Sequence, residues 1–228
     1  MKSSSTSHGD ANQPRRIGFM GGTFDPIHHG HLVTAESVYD SFNLERVIFI
    51  PAGTPPHKPG TRVTSAHHRL NMTRLAVRSN PHFAVSEVEV RRDGPSYTID
   101  TMRHFRTCYG PEAELYFITG VDAVIQIPEW KNAAGLFGIC KFIAATRPGY
   151  PTENFFRFRD RLPARRRRGL KMLAVPALSI SSSDLRQRVR QGRSIKYLVP
   201  EVVEQYILDN GLYRRKGEPV SSRPPMAF

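Results

Sequence analysis

The stretch RIGFMGGTFDPIHHGHL, residues 16–32, joins a short apolar run to a glycine-containing loop that leads into a helical pattern. Gly21 and Gly22 let the backbone leave a strand tightly and approach a ligand, because neither residue carries a Cβ. The helix that follows offers unpaired N–H groups and the positive end of its dipole to an anion. The stretch therefore predicts the first half of a βαβ unit with a phosphate site in its loop.

Further apolar runs alternate with helical patterns along the chain. The runs cover residues 46–50, 83–90, 114–119, 141–146 and 170–176, and the helical patterns cover 32–42, 66–78 and 97–109. Ser65 and Ser96 stand where they can cap the second and third of these helices. Because the runs are continuously apolar, they are typical of strands covered by helices on both faces. The sequence predicts a single α/β domain with a doubly wound, Rossmann-like, mostly parallel sheet, whose ligands bind at the carboxyl ends of the strands.

The two ends of the chain differ in composition from this core. Residues 1–14 are mostly small and polar, and residues 217–228 hold three prolines and two serines. Such segments cannot bury enough apolar surface to fold, so we expect disordered tails on a domain that spans residues 15–216. No run reaches the roughly 18 apolar residues of a membrane helix, and the first residues lack the apolar core of a secretory signal. These features predict a cytoplasmic protein with no membrane partner.

The chain is strongly basic, with 33 Lys and Arg against 20 Asp and Glu and a net charge of +13. Over half of the excess lies in residues 157–171. Such a block indicates a surface for nucleic acid or polyphosphate, or else a solvated, mobile loop. No aromatic residue lies between Arg161 and Lys171, where a base-stacking surface would need one. The charge alone therefore does not predict nucleic-acid binding.

Two histidines sharpen the interpretation of the first loop. His28 and His31 flank Gly30 at the start of the helix, three residues apart, so that one turn brings both rings to the same side. Imidazoles donate hydrogen bonds to phosphate oxygens, and a nearby polyanion favours their protonated form. Zinc is the chemical rival, but no cysteine or carboxylate stands at the helical offset that would complete its site. The spacing thus predicts phosphate binding, with no metal held by protein side chains.

The segment GGTFDPIHHGHL resembles the signature of the HxGH nucleotidyltransferase superfamily. Other motifs, in the same order along the chain, are similar to its nicotinate mononucleotide adenylyltransferase branch. They are PPHK at 55–58, GPSYTIDT at 94–101, GVD at 120–122, WK at 130–131, RPG at 147–149 and ISSSDLR at 180–186. Ser183 stands where the branch usually has threonine, which keeps the hydroxyl group.

The resemblance implies an enzyme of NAD biosynthesis that transfers the adenylyl group of ATP to nicotinate mononucleotide. The products would be nicotinic acid adenine dinucleotide and pyrophosphate, formed without a covalent intermediate. The residues implied to be catalytic are His28, His31, Lys58 and Arg186. Those implied to bind ATP are Gly21, Gly22, Thr23, Phe24, His28, Gly30, His31, Arg147, Ser182, Ser183 and Arg186. Those implied to bind nicotinate mononucleotide are Tyr97, Thr98, Asp122 and Trp130. The resemblance also implies Mg²⁺ as the companion of ATP.

Alternatives remain open at this point. Another HxGH transferase would use nicotinamide mononucleotide or phosphopantetheine as acceptor, although the SYTID segment and Trp130 argue against phosphopantetheine. A basic nucleic-acid-binding protein, acting through Arg161 to Lys171, is the alternative from a different class. Some residues also have ordinary structural interpretations: Ser182 or Ser183 as a helix N-cap, Asp122 as the cap of the following helix, and Trp130 as a packing residue.

Overall fold

The computed structural model describes residues 14–55, 63–146, 149, 151–176 and 178–214. The predicted tails, 1–14 and 217–228, lie outside these ranges apart from Pro14. Two predicted site residues, Lys58 and Arg147, also lie outside the described residues.

In the described part of the chain, six parallel strands form one sheet in the order β3-β2-β1-β4-β5-β6. The strands are β1 (Arg16–Gly22), β2 (Arg46–Pro51), β3 (Phe83–Val85), β4 (Glu114–Gly120), β5 (Lys141–Thr146) and β6 (Leu170–Ala174). The strand order reverses at β1, whose neighbours are β2 and β4. This confirms the predicted doubly wound fold and puts the loop after β1 at the topological switch point, where such sheets bind ligands.

Helices connect the strands and cover the sheet. They are α1 (His29–Ser41), α2 (Ala66–Val77), α3 (Thr98–Tyr109), α4 (Val121–Ile125), α5 (Ala133–Ile139), α6 (Glu153–Asp160), α7 (Ala164–Arg168), α8 (Ser182–Arg190) and α9 (Glu201–Asp209), with a 3₁₀ turn at Ile127–Glu129. Within the described ranges no helix combines the length and the apolarity needed to cross a membrane.

The hydrophobic core forms two clusters, one on each face of the sheet. In β5, Phe142 belongs to the cluster that includes residues of α3 and α5, whereas its neighbour Ile143 belongs to the cluster that includes residues of α1, α2 and α9. Both side chains are fully buried. Burial on both faces explains why the strands are continuously apolar in sequence, as parallel strands between two helical layers must be.

Two local predictions are wrong. The third strand was expected over residues 83–90, but β3 ends at Val85 because Glu89 turns into the interior, where its carboxylate accepts a 2.6 Å hydrogen bond from the Thr101 hydroxyl. Ser96 does not cap α3, since the N-cap position belongs to Tyr97. The Ser96 hydroxyl instead accepts hydrogen bonds from the backbone N–H groups of Gly53 and Thr54.

The cap at the start of α2 is as predicted. The Ser65 hydroxyl accepts a hydrogen bond from the His68 backbone N–H.

The arginine-rich segment is helical. Of the two alternatives left open for residues 157–171, the mobile loop does not describe the structure, because α6, α7 and the start of β6 account for most of the segment. Phe155 is 1% exposed and fastens α6 to the core. The guanidinium of Arg166 lies 6.0 Å from the centre of the Phe137 ring, while its neighbours Arg165, Arg167 and Arg168 are exposed.

Candidate active site

A cavity of about 460 Å³ opens at the carboxyl ends of β1, β4 and β5. Its wall is formed by the end of β1, the start of α1, the turn between β4 and α4, the end of β5 and residues 175–176 and 178–181. His28, Gly30, His31 and Asp122 are among the residues that line it. The cavity therefore lies where the strand order predicts a ligand site.

His28 and His31 form a stacked pair at the N-terminus of α1. His28 occupies the N-cap position, and the two ring centres are 3.8 Å apart with an interplanar angle of 25°. The Nδ1 atom of His31 accepts a hydrogen bond from the backbone N–H of His28 at 3.3 Å. An accepting nitrogen carries no proton, so this geometry assigns the proton of the neutral His31 ring to Nε2. Nε2–H is thereby a donor available to a phosphate oxygen.

Gly30 makes room for this stack. A Cβ atom at position 30 would lie 3.0 Å from both Cε1 and Nδ1 of His28. Nδ1 of His28 is buried and has no hydrogen-bond partner among the residues that the structure describes. A larger residue at this position would crowd the His28 ring.

Both histidines are neutral at pH 7 in the ligand-free protein. Burial, with a smaller contribution from the neighbouring His29, lowers the pKa of His28 to about 4. Burial, and to a smaller extent the electrostatic interaction with His28, holds the pKa of His31 well below its usual range. The protonated form that the sequence predicts beside a polyanion is thus not the form of the free protein. A bound polyphosphate would have to raise these pKa values.

The start of α8 is joined to the loop between β1 and α1. The Ser182 hydroxyl donates to the Pro26 carbonyl at 2.9 Å, and Nη1 of Arg186 donates to the Asp25 carbonyl at 2.7 Å. Nη2 of Arg186 donates to the Ser183 hydroxyl at 3.2 Å. Each guanidinium nitrogen of Arg186 that bears two hydrogens uses one of them here, so donors remain for a phosphate. The helix N-cap is Ser181, not Ser182 or Ser183.

Arg69 holds the same loop from the other side. Its side chain is 1% exposed and donates to the carbonyl oxygens of Thr23, Gly53 and Thr64 at 2.8–2.9 Å. Burial lowers the pKa of this guanidinium, while the Asp25 carboxylate raises it. Arg69 thus ties the loop after β1 to the loop after β2.

A second group of predicted residues lies near the start of α3. Nζ of Lys131 lies 4.3 Å from the centre of the Tyr97 ring and 3.2 Å from Oδ2 of Asp100. The Trp130 ring packs edge-on against Phe117 at 5.9 Å and is partly buried. Lys131, the chain neighbour of Trp130, thus contacts both the N-cap residue and the first turn of α3.

Comparison with known proteins identifies the family. Residues 19–188 match the family model described as Cytidylyltransferase-like. The chain is 54% identical over 202 residues to a protein of Moorella thermoacetica, covering 89% of this chain and 93% of the relative, and 50% identical over 203 residues to one of Thermoanaerobacter sp., covering 89% and 96%. Both relatives are named "Probable nicotinate-nucleotide adenylyltransferase". The chain belongs to the nicotinate-nucleotide adenylyltransferase family.

A solved structure supports the fold of this nicotinate-nucleotide adenylyltransferase family member. The nicotinic acid mononucleotide adenylyltransferase of Plasmodium falciparum, solved in complex with NaAD, superposes with a TM-score of 0.72 at 21% identity, covering 87% of this chain and 97% of that one. At this identity the likeness shows the shared architecture.

The structure brings together part of the site predicted for a nicotinate-nucleotide adenylyltransferase. Gly21, His28, Gly30 and His31 line the cavity, and Asp122, predicted on the mononucleotide side, lines it too. Asp122 is the second residue of α4, and the N-cap is Gly120. The remaining described site residues do not line it; they are Gly22, Thr23, Phe24, Tyr97, Thr98, Trp130, Ser182, Ser183 and Arg186.

Phe24 illustrates how a predicted ATP residue acts through packing. It has a φ of +49°, is 2% exposed, and sets its ring edge-on to that of His31 at 5.0 Å. A Cβ at Gly22 would lie 2.9 Å from the Phe24 ring. Gly22 therefore leaves room for the Phe24 ring, which packs against His31. The predicted contact of both residues with ATP stays a prediction.

Sequence reasoning assigned no role to three residues that hold the site. Asp25 lies in the loop motif and Arg69 in the helical pattern 66–78, but nothing in their spacing indicates that both side chains are buried, at 3% and 1% exposure. Tyr213, whose hydroxyl donates to the Asp25 carboxylate, lies in no motif. Only the folded chain brings these residues together.

We expect the free energy of unfolding to decrease as the pH falls from 7 to 5. An unfolded histidine has a pKa of about 6.5, whereas that of folded His28 is about 4. Between these values the unfolded chain binds more protons, so acid favours unfolding, and on the order of 2 kcal/mol is lost by pH 5. Urea unfolding at pH 7.5, 6 and 5 measures this dependence.

The substitution His28→Gln should reduce the pH dependence, since it removes one of the depressed titrations. His82→Gln, at an exposed histidine stacked on Tyr39, is the matched control and should leave the dependence as it is. Equal pH dependence in the wild-type protein and His28→Gln would contradict the assignment of the effect to His28.

Proposed function

We propose that this protein transfers the adenylyl group of ATP to nicotinate mononucleotide, forming nicotinic acid adenine dinucleotide and pyrophosphate. The observation that carries the proposal is the stacked His28–His31 pair, which lines a cavity at the switch point of a doubly wound sheet. The names of relatives at 54% and 50% identity support the choice of reaction.

The reaction asks little covalent chemistry of the protein. A phosphate oxygen of the mononucleotide attacks the α-phosphorus of ATP and forms a new P–O bond. The bond between the α-phosphorus and the oxygen that bridges it to the β-phosphate breaks, and that oxygen leaves with pyrophosphate. The nucleophile is already an anion, because the second pKa of a phosphate monoester is about 6. No general base is required, and catalysis comes from in-line positioning and from stabilising charge on the phosphates.

The residues around the cavity suit that task. The neutral His31 offers Nε2–H, the start of α1 offers backbone N–H groups, and Arg186 retains free donors for the triphosphate or the departing pyrophosphate. The Ser182 hydroxyl binds the loop after β1 through the Pro26 carbonyl, and the Ser183 hydroxyl accepts a hydrogen bond from Arg186. Lys58 and Arg147 join this set on the strength of the sequence motifs.

The acceptor half of the site is proposed at the start of α3. Tyr97 is the N-cap residue and Thr98 the first residue of the helix, whose unpaired N–H groups could receive the nicotinate carboxylate. Trp130 offers a ring face or edge to the pyridine. Asp122, which lines the cavity at the end of β4, would then stand between the two substrates.

Mg²⁺ fits this proposal as a companion of the nucleotide. Among the described residues, no group of three or more His, Cys, Asp and Glu side chains could hold a metal ion. The ion would therefore be held by the ATP phosphates and water, where it would neutralise phosphate charge. A cytoplasmic location, where ATP and the mononucleotide are available, is part of the same proposal.

Pyrophosphate release by the purified protein tests the function. With Mg-ATP, we expect rapid release with nicotinate mononucleotide and much slower release with nicotinamide mononucleotide or phosphopantetheine. Preference for either of the other acceptors would keep the adenylyl transfer and overturn the acceptor. Absence of release with all three would overturn the proposed reaction.

A further inference from the structure

The C-terminal part of the chain returns to the loop that carries the histidines. The backbone N–H of His29 donates to the Leu198 carbonyl at 3.1 Å, and the Tyr213 hydroxyl donates to Oδ1 of Asp25 at 2.7 Å. Both contacts come from residues beyond position 188, where the match to the family model ends. The C-terminal segment therefore contacts the loop after β1 and the first residue of α1, one contact at each.

The backbone after α9 is shaped to deliver Tyr213. Gly211 has a φ of +57° and Tyr213 a φ of +65°, a left-handed conformation that L-residues with side chains seldom adopt. After this turn the Tyr213 ring packs against the hydrophobic cluster that includes residues of α1, α2 and α9. Its hydroxyl lies 4.0 Å from Sδ of Met72. An unfavourable backbone conformation is retained here because the surrounding contacts require it.

Asp25 depends on this hydroxyl. Its side chain is 3% exposed, and a buried carboxylate needs hydrogen bonds to replace those of water. Oδ1 receives one from Tyr213, and Oδ2 receives one from the Thr64 backbone N–H at 3.2 Å. Burial and the Asp25 charge raise the pKa of Tyr213, so its hydroxyl keeps its proton and remains a donor.

Asp25 in turn connects to the histidines through a short, fixed backbone. It precedes His28 by three residues, and its carbonyl oxygen is held by Arg186 at 2.7 Å. The same loop residue thus joins the C-terminal tyrosine, the arginine of α8 and the start of α1. Loss of the Tyr213 hydrogen bond would leave Oδ1 buried without its donor, and the loop would shift to regain one.

We propose that Tyr213 is a positioning residue of the active site, which holds Asp25 and thereby sets the orientation of His28 and His31 for the phosphates of ATP. The proposal rests on the proposed function. The segment after α8 would then take part in the reaction. Its Tyr213 lies outside the region matched by the family model, yet the hydrogen bond from Tyr213 to Asp25 would align the histidines that bind phosphate.

The substitution Tyr213→Phe removes the hydroxyl and keeps the ring. We expect kcat to fall about tenfold while the KM for nicotinate mononucleotide stays within about twofold, since a hydrogen bond to a buried charge controls the geometry of the phosphate site. The histidine ring signals of His28 and His31 in NMR spectra should shift in the variant. That measurement reports on the loop independently of turnover.

Tyr206→Phe is the matched control. Tyr206 lies in α9, and its hydroxyl also makes two hydrogen bonds, to His68 at 2.9 Å and Asn71 at 3.2 Å, but these join α9 to α2 and not to the loop. We expect Tyr206→Phe to lower the melting temperature about as much as Tyr213→Phe does, with kcat within twofold of the wild-type value.

Three outcomes separate the possibilities. A fall in kcat and shifted histidine signals in Tyr213→Phe alone would support the proposal. Equal effects of both substitutions on kcat, or unchanged kcat and histidine signals in Tyr213→Phe, would overturn it and leave Tyr213 a stabilising residue only. If the wild-type protein releases no pyrophosphate with any acceptor, the proposed function fails, and the histidine signals of the two variants still decide whether Tyr213 positions the loop.

Discussion

Replacing His31 with alanine is expected to lower kcat by about 100- to 1,000-fold and to change the KM for nicotinate mononucleotide by less than about threefold. His31 stands at the N-terminus of α1 with Nδ1 occupied by the His28 backbone, so its Nε2–H can serve the phosphates. Donors that meet developing charge act chiefly in the transition state, and their loss therefore appears in turnover. Steady-state pyrophosphate release with both substrates varied measures the two constants.

Two further variants make the result specific. His31→Gln retains a side-chain donor on a chain of similar length and should recover part of the lost turnover. His29→Ala changes the histidine that follows His28, and the His29 side chain does not line the described cavity. The kcat of this variant should stay within about threefold of the wild-type value. If His31→Ala lowered substrate affinity as much as turnover, or left turnover unchanged, His31 would have no role in the transition state.

Most of the fold could be predicted from the sequence because burial on two faces leaves a simple pattern. A strand between two helical layers has no solvent side, so residues 47–50 and 142–145 are apolar at every position, and both runs lie in inner strands of the sheet. The third strand was predicted to be longer than it is, because its apolar run is interrupted by Ser86, Glu87 and Glu89. The Ser86 backbone N–H still donates to the Phe49 carbonyl of β2, but the Ser86 hydroxyl accepts from the Val88 backbone N–H and the Glu89 carboxylate accepts from the Thr101 hydroxyl, so the chain leaves β2 at this point.

The sequence predicts which residues belong to the candidate site better than it predicts the hydrogen bonds that hold them in place. His28, Gly30 and His31 follow from local spacing, since a helix turn fixes their relation whatever surrounds them. Ser96 shows the limit: as a serine before a helix it should be a cap, yet its hydroxyl is used by the backbone of residues 53 and 54, more than forty positions away. Contacts of such sequence separation leave no periodic signal.

That distant contact gives Gly53 its importance. Gly53→Ala is expected to lower the free energy of unfolding by about 3 kcal/mol or more, a loss typical of severe overpacking. A Cβ at position 53 would lie 2.1 Å from the carbonyl oxygen of Glu89, and backbone, unlike a side-chain end, cannot rotate aside. Thermal and urea unfolding of the variant measure the loss.

The reason for the glycine is close approach of two chain segments. The N–H of Gly53 donates to the Ser96 hydroxyl at 2.9 Å, and its carbonyl accepts from Arg69 at 2.9 Å. Moving the two segments apart would break the first contact and strain the second. Because α3 begins two residues after Ser96, we also expect the KM for nicotinate mononucleotide to rise in any Gly53→Ala protein that folds.

Gly138→Ala is the matched control for this substitution. Gly138 lies in α5, and a Cβ there would meet nothing within 4 Å. Alanine in a helix interior is favoured over glycine by roughly 0.5–1 kcal/mol, so this variant should be as stable as the wild-type protein or more stable. A stability loss below about 1 kcal/mol in Gly53→Ala would show that the segments at Gly53 and Glu89 can separate freely. The start of α3 would then owe its position to contacts other than those of Ser96 with the loop after β2.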